Sequence, residues 1–220
     1  MYEDGTDSFQ VALVDSLSAM ASDDAVRTIS ISYGQDETQQ GTAAIQAENT
    51  VLTQMAAQLG ARVITTVSTP AKAELSREAG ASDVILYTEQ DVETEVKRLT
   101  DGKCVDVVYD SVGKTTFDQS LNCLRPRGLL ALFGASSGPV PPFDLIQLSG
   151  KGSLFVTRPT LWHYIGSRSE LEWRAGDVLG WAAKGELKLR TEFLYPLADA
   201  AQAQSDREAR KTTGKILLEP

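Results

Sequence analysis

From residue 61 onward the chain alternates short β-branched runs with helix-patterned segments. No other feature constrains its fold as strongly. "ARVITTV" (61–67), "DVILY" (83–87), "VDVVYDSVG" (105–113) and "GLLALFG" (128–134) read as strands. Between the first two, "AKAELSREAGA" follows Pro70 at a first helical position, with Thr69 as N-cap, and stops at Gly80. "EQDVETEVKRLT" (89–100) puts Val92, Val96 and Leu99 on one helical face. "TTFDQSLNCL" (115–124) does the same with Phe117, Leu121 and Leu124. Strands separated by helices predict an α/β fold with a doubly wound parallel sheet. Near-continuous apolar strands predict a sheet covered on both faces.

The flanks extend this pattern. "VRTISISYG" (26–34) reads as a strand. A helix over about 42–59 carries Ile45, Leu52, Met55, Ala56 and Leu59 along one stripe. Residues 26–67 therefore form a strand–helix–strand unit. "VALVDSLSAMA" (11–21) has helical spacing, and 135–150 reads as a loop. Beyond it come a strand at 152–158, a long helix at 168–184 ended by Gly185, an extended stretch at 186–197, a helix at 198–210 and a closing strand at 214–220.

Composition narrows the function classes. A net charge of −9 argues against a nucleic-acid or anionic-membrane surface. No apolar run approaches the ~20 residues of a membrane span. The opening "MYEDGTDSFQ" lacks the basic and apolar regions of a signal peptide. Cys104 and Cys123 lack metal-type spacing and read as buried thiols of a reducing compartment, which predicts a cytoplasmic protein. A single histidine, His163, argues against a zinc site or a histidine-based triad.

Four stretches then carry a family likeness: "QLGARVITTVSTPAKAELSREAGASDVILY", "VDVVYDSVGKTTFDQSLNCLRPRGLLALFGASSG", "KGSLFVTRP" and "ARKTTGKILLEP". From about Val51 to Pro220 the chain resembles the zeta-crystallin-like NADPH:quinone oxidoreductases, a zinc-free branch of the medium-chain dehydrogenases. The resemblance implies a Rossmann-like sheet, NADPH as cofactor, and hydride transfer to a small quinone or enone. It also implies homodimer pairing through the strand at 152–158. The family's N-terminal catalytic domain, which supplies one wall of its cleft, has no counterpart here. The expected division is residues 1–60, whose strand and helix complete the sheet, and residues 61–220, an NADP-binding domain with a C-terminal extension. Residues 1 to about 58, with "VRTISISYGQDETQQGTAAIQAENTVLTQMAAQ", are similar to a non-catalytic stretch of the sedolisin peptidases. The two resemblances meet inside the helix around residues 50–60. Alignment on "LTQMA" puts Gln46, Ala47, Glu48 and Asn49 where the quinone oxidoreductases carry a glycine-rich phosphate turn.

Ser68, Thr69 and Lys72 follow the strand whose end carries the adenine ribose in dinucleotide-binding folds. Hydroxyls and a cation suit a 2′-phosphate, whereas an NAD site places an acid there. By themselves these residues fit equally a helix cap and a solvated lysine. The resemblance implies that Ser68, Lys72, Tyr87 and Arg210 hold the 2′-phosphate. It also implies that Phe133, Gly134 and Ser136 pass the nicotinamide, with Phe155 on a strand near it. Ser111 ends a parallel strand and can approach the cofactor. "GASSG" (134–138) matches G-x-S-x-G, but Pro139, Pro141 and Pro142 forbid the helix that a nucleophile elbow needs. No residue is assigned as general acid or base. Hydride transfer relies mainly on the cofactor and on a shaped, dry pocket.

Overall fold

The computed structural model describes residues 28–32, 42–188, 191, 193–209, 211–212 and 216–220. The helix expected over 11–21 and Arg210 fall outside those residues.

Six parallel strands form one sheet: β1 (Thr28–Ser32), β2 (Arg62–Val67), β3 (Asp83–Leu86), β4 (Val105–Asp110), β5 (Leu124–Leu132) and β6 (Phe155–Thr157). Their order is β3-β2-β1-β4-β5-β6. The chain leaves β1 toward one edge and returns past it toward the other. That reversal opens a crevice at the carboxyl ends of β1 and β4, where ligands bind in such sheets. β1 pairs Ile29 with Val63 on one side and with Val107 on the other, so residues 28–32 sit at the centre.

Helix α1 (Thr42–Gln58) follows β1, α2 (Pro70–Glu78) follows β2, α3 (Val92–Leu99) follows β3, and α4 (Phe117–Asn122) follows β4. Successive strand residues face opposite sides, and the two cores sort accordingly. On one side Val51, Leu52, Met55 and Ala56 of α1 pack on Val63, Val67, Val107, Tyr109 and Ala131. On the other, Val92 and Val96 of α3 and Phe117 and Leu121 of α4 pack on Ile64, Ile85, Val108 and Leu130. The doubly wound parallel sheet expected from the strand pattern is therefore present.

The local signals read from the sequence hold at α2. Thr69 caps it by accepting from the Lys72 amide at 3.3 Å, Pro70 opens it, and Gly80 closes it at φ 100°. α1 is closed two residues past its end by Gly60, φ 79°, whose N–H donates to Ala57 O at 3.0 Å.

Four expectations are corrected. Because α1 begins at Thr42, Gln46 to Asn49 lie within the helix and not at a turn; the β1–α1 connection is residues 33–41, outside the described residues. The strand expected over 105–113 stops at Asp110, and the one expected at 128 starts at Leu124. A register shift between Val105 and Val107, with Arg127 at φ 61°, absorbs the added residues, and Arg125 bonds Asp106 across it. Residues 135–150 contain one short helix, α5 (Ile146–Gly150). The stretch 186–197 is extended as strand only at β7 (Phe193–Pro196), which pairs in parallel with β8 (Ile216–Glu219). Residues 186–188 instead dock on α1. Gln54 donates to Lys188 O at 3.1 Å and accepts from Lys188 N at 2.7 Å, and Gln58 donates to Glu186 O. The remaining helices are α6 (Arg168–Ala183), opened by a Ser167–Glu170 capping box, and α7 (Ala200–Glu208).

Two predictions concern stability. Thr65, fully buried in β2, has a hydroxyl with no hydrogen-bond partner among the described residues. Thr65→Val replaces that hydroxyl by a methyl, and we expect a gain of about 1 kcal/mol, read as a higher midpoint in thermal unfolding. In α3 the Thr94 hydroxyl and amide hold the Asp91 carboxyl below its ordinary range. The Lys97 ammonium, helped by Asn122, does the same for Glu93. Carboxyls depressed in the folded state stabilise above their unfolded values, and that contribution is lost as pH falls through the folded ones. The melting temperature should therefore fall below about pH 4. Asp91→Ala should cost about 1 kcal/mol at pH 7 through the lost cap, and should flatten that acid slope.

Candidate functional site

All but three of the expected site residues, Lys72, Phe155 and Arg210, stand just past the carboxyl ends of the strands. Ser68 follows β2 and Tyr87 follows β3, on one side of β1. Ser111 follows β4, and Phe133, Gly134 and Ser136 follow β5, on the other side. From β2 to β5 is three strand spacings, roughly 14 Å, so the two groups span the switch point rather than meeting. Phe155 is not at this edge. It pairs with Leu129 near the start of β6 and is 61% exposed on the sheet's open margin. Arg210 lies outside the described residues.

The first group is half-buried. Tyr87 donates its amide to Val67 O at 3.1 Å, and the Thr88 hydroxyl donates to Ser68 O at 3.1 Å, tying the ends of β2 and β3 together. Lys72 stands in the first turn of α2, partly covered. No carboxylate occurs between Ser68 and Glu74.

Asp110 organises the second group. Its fully buried carboxylate accepts from Val112 N at 2.8 Å and Gly113 N at 3.1 Å. It also accepts from the Thr116 hydroxyl at 2.8 Å and the Ser120 hydroxyl at 2.7 Å. Every one of these partners is a donor, which is the arrangement a buried carboxylate needs. The backbone carbonyl of Asp110 accepts from Phe133 N at 2.9 Å and Gly134 N at 3.3 Å. One residue thus fixes the loops after both β4 and β5. Ser137 stitches them again: its hydroxyl accepts from Thr115 N at 3.0 Å and donates to Val112 O at 2.8 Å.

The loops approach so closely that side chains do not fit between them. A Cβ on Gly134 would lie 2.0 Å from Ser111 O. Gly113, at φ 88°, would place one 2.9 Å from Gly138 O. Most of the loop amides are spent internally. Besides those bound to Asp110 and Ser137, Ser136 N donates to Ser111 O at 3.2 Å and Ser137 N to Val112 O at 2.9 Å. Such a wall offers shape rather than anion-binding N–H groups. Ser136 is 4% exposed, and its hydroxyl has no partner among the described residues.

Sequence reasoning singled out neither Asp110 nor Ser137. A signal was present: Thr116 and Ser120 stand four apart on the buried face of α4, and polar residues there imply a buried acceptor. The G-x-S-x-G reading finds no nucleophile elbow, since the next helix begins only at Ile146. Burial pushes the Cys123 thiol up to about 12 and raises the half-buried Cys104 thiol, so both are poor nucleophiles. Burial likewise raises the phenol of Tyr109. Among the described residues no cluster of His, Cys, Asp or Glu could hold a metal ion, and no helix is long and apolar enough to cross a membrane.

Residues 50–174 match the family model described as zinc-binding dehydrogenase. The chain is 46% identical over 167 residues to a quinone oxidoreductase of Pseudomonas aeruginosa, covering 76% of this chain and 51% of that protein. It is 43% identical over 171 residues to a 2-haloacrylate reductase of Burkholderia sp, covering 77% and 51%. Its structure matches that of the Escherichia coli quinone oxidoreductase complexed with NADPH, with a TM-score of 0.77 and 36% identity, over 96% of this chain and 63% of that one. The chain spans about half the length of the curated relatives it matches. The structural match reaches into the first fifty residues, and the likeness of residues 1–58 to sedolisin peptidases finds no support in these comparisons.

Gly134→Ala tests the wall directly. The added methyl has to displace backbone rather than a flexible side chain, so we expect a loss of about 1–3 kcal/mol in denaturant unfolding.

Proposed function

Because this chain belongs to the zinc-binding dehydrogenase family, we propose that it falls in the quinone oxidoreductase branch and serves NADPH-dependent reduction of a small quinone or enone. The observation that carries the reading is the pair of loops after β4 and β5, closed on each other without room for a Cβ at Gly134, at the carboxyl edge of a 3-2-1-4-5-6 sheet. NADPH, when bound, supplies the hydride for a conjugated carbonyl.

The residues present fit that cofactor. Ser68, Thr69 and Lys72 offer hydroxyls and a cation with no adjacent acid, which suits a 2′-phosphate and disfavours a bare ribose. Tyr87 stands beside them and Arg210 completes the set. Ser111, Phe133, Gly134 and Ser136 line the nicotinamide half, where small residues admit the ligand against the backbone. The orphaned Ser136 hydroxyl supports this assignment. The donor set does not fit zinc, despite the family's description: the chain has one histidine and two cysteines.

These residues alone fall short of full competence. The chain spans about half of its relatives, and the resembling family takes one wall of its cleft from the other half. A non-catalytic or dimerising role is the second reading, favoured by the open β6 margin, where Phe155 and Val156 are exposed. Homodimer pairing through residues 152–158, a cytoplasmic setting, the absence of nucleic-acid or membrane partners and the division at residue 60 belong to the same proposal.

Fluorescence titration tests it. NADPH should bind saturably and more tightly than NADH. Lys72→Ala should weaken NADPH about tenfold while leaving NADH unchanged. Absence of saturable NADPH binding at millimolar concentration would falsify the reading for this chain. Preference for NADH would remove the roles given to Lys72 and Arg210.

A further inference from the structure

Arg158, one residue past β6, is placed unlike the other arginines whose partners are seen. Arg62, Arg77, Arg98, Arg125 and Arg168 each bond a carboxylate. Arg158 instead turns its Nη1 onto two backbone carbonyls at the end of β5: Leu132 O at 3.1 Å and Gly134 O at 2.7 Å. Both bonds use the same nitrogen. The Nε–Nη2 edge makes no hydrogen bond or ion pair among the described residues, and the side chain belongs to an exposed residue. That edge carries the parallel N–H pair that fits both oxygens of a carboxylate or phosphate.

Nη1 does more than occupy two carbonyls. Two hydrogen bonds from one nitrogen, in a planar group, fix the direction in which the other edge points. The cost of immobilising a long side chain is met before any ligand arrives. The anchor is also well placed, because Gly134 lies in the wall built by Asp110, at the carboxyl edge where a ligand of this sheet belongs. Two residues on, Ser136 holds a buried hydroxyl without a partner, so the same short segment carries a second unanswered donor.

We propose that Arg158 is an oxyanion-binding residue, receiving a ligand carboxylate or phosphate on its Nε–Nη2 edge while Nη1 holds the loop after β5. The proposal rests on the carboxyl edge being the ligand side, as in the function proposed above. It goes further by giving that side a preference for an anionic group. Two sources share the chemistry: a carboxylate on the acceptor to be reduced, and a phosphate of the dinucleotide.

The test follows the Arg158 Nε–H resonance in ¹⁵N-labelled protein, identified by its absence from Arg158→Lys. Acrylate, inorganic phosphate and neutral acrylamide are titrated separately. The exposed Arg127, away from this edge, serves as internal control. Acrylate or phosphate should shift the Arg158 resonance saturably, with half-saturation on the order of 1 mM, while acrylamide leaves it in place. The Arg127 resonance should not follow. Addition of NADPH then separates the sources. If NADPH shifts the resonance and abolishes the acrylate response, the oxyanion is the dinucleotide's phosphate. If the acrylate response survives, the site receives the acceptor's carboxylate. Equal shifts at Arg127 and Arg158, or no shift with either anion, overturn the proposal. Should Arg158→Lys not fold, assignment of the resonance through the wild-type backbone keeps the titrations readable. A failure of NADPH to bind would count against the proposed function but would leave the acrylate result readable.

Discussion

The carboxylate of Asp110 is the interaction on which the site depends. It ends β4, and it has no cation beside it among the described residues. Two backbone amides and two hydroxyls satisfy it instead. A buried carboxylate without such donors would be strongly destabilising, so the chain after β4 must turn where it does to supply them. This is why the strand stops at Asp110. The same residue's carbonyl receives the amides of Phe133 and Gly134, and the second loop is thereby set against the first.

The consequences run outward from that contact. With the loops fixed by Asp110 and Ser137, Gly134 rests against Ser111 and leaves no space for a side chain. Its carbonyl accepts from Arg158, which ties the margin strand β6 to the wall. Beneath, Tyr109 and Val107 are clasped by α1, and Val108 and Leu130 by α3 and α4, so the platform is packed from both sides. The glutamine contacts of α1 add residues 186–188 to that body and thereby root the segment that carries β7 and α7.

Much of this was legible in the sequence, for reasons that can be named. The β-branched runs at 62–67 and 105–110, the Thr69–Pro70 opening and the Gly80 stop are short-range signals, and the local backbone obeyed them. The family likeness carried Ser68, Tyr87, Ser111, Gly134 and Ser136 to the carboxyl edge, and the structure puts them there. Phe155 was read onto a strand and lies on one, β6, but its pairing with Leu129 and its exposure were set by register, which local sequence does not encode. Gln46 to Asn49 were read as a substitute for a turn, yet they are interior to α1. The apolar stripe had already set the helix start near residue 42, where α1 begins; the alignment with a turn was what failed.

What the sequence determined by itself was the alternation of strands and helices and, through it, a parallel sheet covered on both faces. Short apolar runs separated by helical segments bury best as adjacent strands with the helices laid over them. What the tertiary structure alone decided was which strand lies at the centre, how the loops meet and what Asp110 and Arg158 touch. Those outcomes depend on hydrogen bonds between residues distant in sequence. Asp110 could have capped only its own turn, and Arg158 could have been one more solvated arginine. Each acquired its part when β5 and β6 were laid beside β4 and brought carbonyls and amides within reach.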